Sequence, residues 1–286
     1  MKETICAVVV TYNRLNSLKI CLENLKKQTR KLDEIIVVNN GSLDGTAEWL
    51  SKQSDIYVIN QTNLGSAGGF YSGIKLAFER NFDWIWCLDD DIFPFPDTLE
   101  NLLKYSSISK CIHPLKKDVD DNEVYWENYF HPGYGKIYFT PNLSFKNGKN
   151  WCSVSTGCFE GMLIHKDIVK RVGYPDIRFF IDGDDLIYGF YCSLYTNVIY
   201  VNDAIVKKLL KDNEISKNRV YFRFRNFFLI REHLEKLRFW KRMGDFLFFV
   251  YIFQEILNSL KKQRFDLIVG IIVGVKDGLL KKFNKV

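Results

Sequence analysis

Four apolar runs, each closing on a polar turn and the first three each followed by a helical pattern, restrict this chain to a narrow set of folds. They are "ICAVVV" (5–10), "EIIVV" (34–38), "IYVIN" (56–60) and "WIWCL" (84–88). Unbroken apolar character over five or six residues fits a strand covered on both faces, as in a parallel sheet. Between the runs, Leu15, Leu18, Leu22 and Leu25 recur at helical spacing, and "LDGTAEWL" and "SAGGFYSGIKLAFER" read as further helices. This alternation predicts an α/β fold, a Rossmann-like, mostly parallel sheet flanked by helices. From about Ser106 to Asn150 the pattern weakens into aromatics, Gly and Pro, which predicts a loop-rich or antiparallel insertion. "FEGMLIHKDIVKRVG" then resumes the order of strand and helix, and residues 215–286 read as helical. The expected division is an α/β domain over 1–214 and a basic, aromatic-rich helical segment over 215–286.

Charge sharpens that division. Residues 1–206 hold 21 Lys and Arg against 26 Asp and Glu, whereas residues 207–286 hold 19 against 8. A basic segment on an acidic domain implies an anionic partner: a membrane surface, a nucleic acid or a phosphorylated substrate. The segment has two apolar stretches, Phe246–Phe253 and Leu267–Val275, both short of the ~20 residues a spanning helix needs. Flanked by Lys261, Lys262, Arg264, Lys281 and Lys282, they predict helices lying in an anionic membrane interface, with an oligomer interface as the alternative. The seven cysteines are scattered, odd in number and without a CxxC pair, so neither zinc nor a disulfide framework is expected and a reducing, cytoplasmic setting is. "MKETICAVVVTYN" reads as a strand rather than a signal peptide.

In open α/β sheets ligands bind at the carboxyl ends of the strands. The turns "TYNR" (11–14), "NNGSLDGT" (39–46) and "NQTNLGSAGGF" (60–70) converge there, together with Asp89, Asp90 and Asp91. No GxGxxG follows the first strand and no GxxxxGK[ST] occurs, so nicotinamide and P-loop chemistry lose support. Strand alternation predicts Asp89 and Asp91 on one side and Asp90 on the other. Two carboxylates aimed together suit Mg2+ or Mn2+, which would offset their repulsion and bridge to phosphates. A second acidic group, Asp182, Asp184 and Asp185, follows aromatics and precedes an amphipathic stretch; it suits a helix cap, a general base, or both. His113, His131, His165 and His233 show no metal-binding spacing.

Taken in order, "VVVTYNR", "IIVVNNGSLDGT", "NLGSAGGF", "WCLDDD", "CFEGMLIHKDIVKRVG", "FFIDGDDLIYG" and "NRVYFRFRN" (218–226) resemble the inverting glycosyltransferases of family two, which have an A-type fold. The style is most similar to bacterial galactofuranosyl- and rhamnosyltransferases of cell-surface polysaccharide assembly. The resemblance implies that Asp89 and Asp91 are the metal pair and that Asp185 is the catalytic base, with Asp184 beside it. It implies a nucleotide-sugar site built from Thr11, Tyr12, Arg14, Asn39, Asn63, Gly65, Gly68, Asp90 and Lys208. The implied partners are a nucleotide-diphosphate sugar, a glycan or lipid-linked acceptor and the inner face of the cell membrane, with no nucleic acid and with a homo-oligomer as an option. Three positions depart from the family pattern: Asn39 where Asp is frequent, Ile187 where many relatives have Glu, and Lys207 or Lys208 where a His ligand is common. A nucleotidyltransferase and a non-catalytic sugar-nucleotide-binding assembly protein are the competing classes.

Overall fold

A computed structural model describes residues 3–124, 128–139, 145, 148–211 and 214–283. The chain opens with β1 (Ile5–Thr11), α1 (Leu15–Lys26), β2 (Glu34–Asn39), α2 (Thr46–Leu50), β3 (Tyr57–Asn60), α3 (Gly65–Glu79) and β4 (Trp84–Asp89). There follow β5 (Ile92–Pro94), α4 (Thr98–Leu103), β6 (Cys111–Lys117), β7 (Glu123–Val124), β8 (Asn128–His131), β9 (Lys136–Phe139), β10 (Trp151–Ser153) and β11 (Leu163–His165). The remainder is α5 (Lys166–Val172), a 3-10 turn (Ile177–Phe179), α6 (Asp184–Ser193), β12 (Ile199–Lys208), α7 (Lys217–Lys236), α8 (Arg242–Lys261) and α9 (Phe265–Leu279).

The main sheet has the order β10-β12-β6-β11-β4-β1-β2-β3. Strands β4, β1, β2 and β3 are parallel, as the continuous apolar runs require. Alternate residues of β1 serve opposite faces. Ile5, Ala7 and Val9 pack with Leu18, Leu22 and Leu25 of α1, while Cys6, Val8 and Val10 pack with Phe70, Ile74 and Ala77 of α3. Helix α3 lies close on the sheet because Gly69 faces it: a Cβ there would sit 2.4 Å from Val10 Cγ1. Beyond β4 the order turns mixed, with β11 inserted antiparallel between β4 and β6.

The expected insertion contains an antiparallel hairpin, β8–β9, with Phe130 buried against Phe190 of α6. Parts of that region lie outside the described residues. The helical reading of 215–286 holds for α7, α8 and α9. All seven cysteines are unpaired.

Candidate active site

The four parallel strands deliver their polar ends to one edge. Thr11 pairs in register with Asn39, Asn39 with Asn60, and Val10 with Asp89. Asn39 is buried, donating through Nδ2 to Asn60 Oδ1 (2.9 Å) and accepting from Ser42 N (3.1 Å). Its neighbour Asn40, which sequence reasoning passed over, ties together the loop between β3 and α3. Asn40 Nδ2 donates to Asn63 Oδ1 (3.1 Å) and to Gly65 O (2.9 Å), and its Oδ1 accepts from Gln61 Nε2 (2.9 Å) and Leu64 N (3.1 Å). Asn63 also accepts from Gly65 N (2.9 Å), so it shapes the loop that starts α3. Gly68 lies buried inside α3, against the Leu64 side chain.

Strand β4 ends at Asp89, so the alternation that would pair Asp89 with Asp91 stops there. Asp90 and Asp91 occupy a turn, and the turn sends both to the same cation. Arg14 Nη1 lies 3.0 Å from Asp90 Oδ1 and 3.1 Å from Asp91 Oδ2. Asp90 is therefore inside the site rather than turned from it: its Oδ2 accepts from Thr11 Oγ1 (2.8 Å) and Tyr12 N (3.2 Å). Tyr12 is 45% exposed, an open aromatic residue beside this contact. Burial lifts the Asp90 carboxyl to about 6 against the pull of Arg14. Burial and then Glu160 hold Asp89 well above the carboxylate range, and burial raises Asp91 too.

Glu160, in the "FEG" that the sequence placed on no particular chemistry, forms the back of this acidic cluster. It is ion-paired to Lys116 of β6 and, at 3.5 Å, to Lys208 of β12. The two lysine candidates separate here. Lys208 faces Glu160 and moderates Asp91, whereas Lys207 pairs with Asp121 at 2.7 Å. Among the described residues no group of three or more His, Cys, Asp or Glu is arranged to hold a metal ion. The donor set still fits a hard divalent cation in part. Asp91 Oδ1 is buried without a hydrogen-bond partner, and Asp89 beside it is crowded by like charge.

The second acidic group adjoins the first. Gly65, at φ +71°, lets the start of α3 meet the loop before α6, since a Cβ there would sit 1.9 Å from Phe180 O. Ala67 N donates to Phe180 O (3.2 Å) and Ser66 Oγ to Asp184 Oδ2 (3.0 Å). Glu160 raises Asp89 second only to burial, and Asp185 more weakly. Asp184 is buried and raised to about 6 by desolvation. Asp185 is half-buried and pushed up to about 8, first by desolvation and then by Asp184. Ile187 is buried in an apolar cluster with Phe190 and Leu229, away from this chemistry.

That loop is bent through two positive-φ residues, Phe180 (62°) and Asp182 (72°), followed by Gly183 (95°). Such backbone persists only where its surroundings over-determine it. Here α7 does so. Buried Arg225 donates through Nη2 to Arg178 O (2.6 Å) and Phe179 O (2.9 Å). Buried Asn226 donates through Nδ2 to Phe179 O (2.9 Å), Ile181 O (2.8 Å) and Asp182 O (2.7 Å). The Asp182 carboxylate meets Arg223 Nε at 3.3 Å.

The family description "Glycosyl transferase family 2" matches residues 6–173, which covers the donor loops, the Asp triplet and Glu160. Residues 174–286, with Asp184 and Asp185, lie beyond it. The chain is 32% identical over 199 residues to the galactofuranosyltransferase GlfT1 of Mycolicibacterium smegmatis, spanning 64% of this chain and 63% of that protein. It is 32% identical over 197 residues to GlfT1 of Mycobacterium tuberculosis H37Rv, spanning 65% of this chain and 63% of the relative. Among solved structures, GalNAc-T7 with UDP, GalNAc and Mn2+ superposes with a TM-score of 0.63 at 13% identity, over 80% of this chain and 48% of that one. A fragment of S. aureus TarS in complex with UDP gives 0.56 at 15% identity, over 79% and 65%. At those identities the structures speak for the fold, the A-type glycosyltransferase fold that the family resemblance implies. The family match extends through the polar strand ends and the acidic turn themselves, and by it this chain belongs to glycosyl transferase family 2 and is a glycosyltransferase.

Proposed function

We propose that this enzyme transfers galactofuranose, with inversion, from a uridine diphosphate sugar to a hydroxyl of a growing, lipid-linked cell-surface glycan at the cytoplasmic face of the cell membrane. The observation that carries the reading is the raised Asp185 carboxyl joined through Asp184 and Ser66 to the loop that starts α3. The galactofuranosyltransferase relatives and the UDP-bound neighbours support the choice of donor. A rhamnosyl donor on the same scaffold is the alternative.

The donor's base lies over Tyr12, beside Thr11 and Asn39, and its diphosphate lies towards the acidic turn. Asp89 and Asp91 would hold a Mn2+ or Mg2+ ion, which supplies positive charge for the departing diphosphate. Lys208 adds a fixed cation at that end. Asp185, ionised, takes the proton of the acceptor hydroxyl. The hydroxyl oxygen forms its bond to the anomeric carbon as the bond to the diphosphate oxygen breaks, and the electron pair leaves with the nucleoside diphosphate. Attack from the face opposite the leaving group inverts the anomeric configuration.

The test is UDP release from UDP-galactofuranose in the presence of a galactan or lipid-linked acceptor, with UDP-glucose and dTDP-rhamnose as comparison donors. Acceptor-dependent release confined to the galactofuranosyl donor supports the reading. Release confined to dTDP-rhamnose replaces it with the alternative.

A further inference from the structure

We propose that the outward face of α8 and α9 is a seat for an anionic lipid bilayer. The proposal deepens the lipid-linked acceptor reading, but its test uses no sugar, so the two stand or fall separately.

The face is apolar where a solvent-facing helix would be polar. On α8, Phe246, Phe249, Phe253, Leu257 and Leu260 recur at helical spacing along one side, and the three phenylalanines are 62%, 64% and 63% exposed. On α9 the usual arrangement is inverted. Gly270, Gly274 and Gly278 face α7, where added Cβ atoms would meet Lys217 O at 2.8 Å, Tyr221 O at 2.5 Å and the Phe228 ring at 2.2 Å. The large side chains Phe265, Val269, Ile272 and Leu279 are left outside. A groove of about 510 Å3 between the helices, lined by Ile252, Ile256, Ile272, Val275 and Leu279, opens on this face with an apolar lining suited to an acyl chain.

The charges select the occupant. Basic residues cluster at both ends of the hairpin: Lys261, Lys262 and Arg264 at the turn, and Arg242, Lys281 and Lys282 at the other end. Three of the four acidic residues of α8 and α9 already have a partner, Asp266 with Arg264 at the exposed turn among them. Asp245 pairs with Arg231 (2.9 Å), Asp266 with Arg264 (2.9 Å), and Asp277 is buried beside Tyr221 (3.2 Å). Lys261, Lys262 and Lys281 are exposed and have no carboxylate partner among the described residues. A second copy of the same basic face would repel this one, whereas anionic lipid headgroups attract it and the aromatics enter the acyl boundary. No described helix is long and apolar enough to cross a membrane, so the hairpin lies on the surface. On the inward side of the same helix, Tyr251 stacks on Phe224 of α7, the helix whose Arg223 pairs with Asp182.

The full chain is floated with vesicles of phosphatidylglycerol and phosphatidylethanolamine, and with vesicles of phosphatidylcholine alone. Binding to the anionic vesicles is expected at low salt, falling about tenfold or more in high salt or on neutral vesicles. The triple variant Phe246→Ser, Phe249→Ser, Phe253→Ser, and separately the pair Lys261→Glu, Lys262→Glu, should each lose it while keeping the wild-type melting profile. No flotation of the intact chain at low salt, or equal flotation with neutral vesicles, overturns the proposal. So does a stable oligomer in light scattering that the triple variant converts to monomers, because the face then belongs to a second copy.

Discussion

Asp185 combines an ordinary residue type with an extraordinary setting, and pH should reveal it. Burial and then Asp184 push its carboxyl up to about 8, far above the ordinary carboxylate range, so at neutral pH Asp185, the proposed base, is mostly protonated. Transfer should therefore rise with pH along a single limb ending near 8. Asp184→Asn removes the neighbouring charge that is the second cause of the shift, and should move that limb to lower pH. A pH profile of kcat/KM in both proteins measures it; an unmoved limb would show that Asp184 does not tune the base. Asp185→Asn should abolish transfer with donor affinity kept. It should also stabilise the fold. A carboxyl whose folded pKa is raised contributes stability that is full below its unfolded pKa and is lost as pH rises towards 8. The amide removes that loss, so the melting temperature should rise by about 2–4 °C per kcal/mol recovered, and more at pH 8 than at pH 5. The Asp triplet yields a second contrast. Asp91→Asn should lower metal-stimulated turnover by roughly tenfold or more, since Asp91 Oδ1 is the unpartnered oxygen. Asp90→Asn should instead weaken donor binding, because Asp90 organises Thr11, Tyr12 and Arg14. Calorimetric UDP binding against turnover, with and without chelator, separates the two; equal defects in both variants would refute the division of labour.

Among the elements, α7 does the least expected work, and Asn226 concentrates it. Three carbonyls of the strained turn before Asp185 share the two N–H groups of its amide nitrogen, and its Oδ1 accepts from Arg225 Nε (3.0 Å). Asn226→Ala would strand buried carbonyls, each costing about 1–3 kcal/mol when unmet. The expected result is a loss of about 2–4 kcal/mol in stability and a fall in kcat, with donor KM little changed, since the donor loops do not touch Asn226. Urea melts and steady-state kinetics check both; an intact kcat would mean the turn holds without α7. None of this was legible in "NRVYFRFRN", which could be matched as a motif but whose partners lie some 45 residues earlier in the chain. What the sequence did carry was local. Apolar runs of strand length and leucines at helical spacing announced β1 to β4 and α1. Non-local placement stayed hidden: the antiparallel β11 between β4 and β6, the end of β4 at Asp89, and the recruitment of Glu160 beside the Asp triplet. A lone Glu or Asn acquires a role only when the fold supplies its neighbours, and Asn40 is the clearest case.

At the scale of the molecule, the C-terminal helices have two faces with separable duties, and truncation and substitution should tell them apart. The inward face completes the catalytic half. Phe224 of α7 is buried under Tyr251 and Phe248 of α8, Phe227 stacks on Phe248 with ring centroids 3.5 Å apart, and the α9 glycines close over Tyr221 and Phe228. Ending the chain after Arg242 would strip those contacts from the helix that holds the base loop. Re-exposing buried side chains of this size costs about 1.5–3 kcal/mol each, so losing several approaches the 5–15 kcal/mol that keeps a domain folded. The outward face is largely exposed, so Phe246, Phe249 and Phe253 can become Ser with little effect on the fold. Truncation should therefore lower the melting temperature and remove transfer to a water-soluble acceptor, while the triple Ser variant keeps both. Only with an acceptor embedded in vesicles should the triple variant fail. Parallel assays on soluble and vesicle-borne acceptors measure this directly. A truncated chain that still transfers to the soluble acceptor would show that α8 and α9 serve the membrane alone and that α7 needs no cover from them.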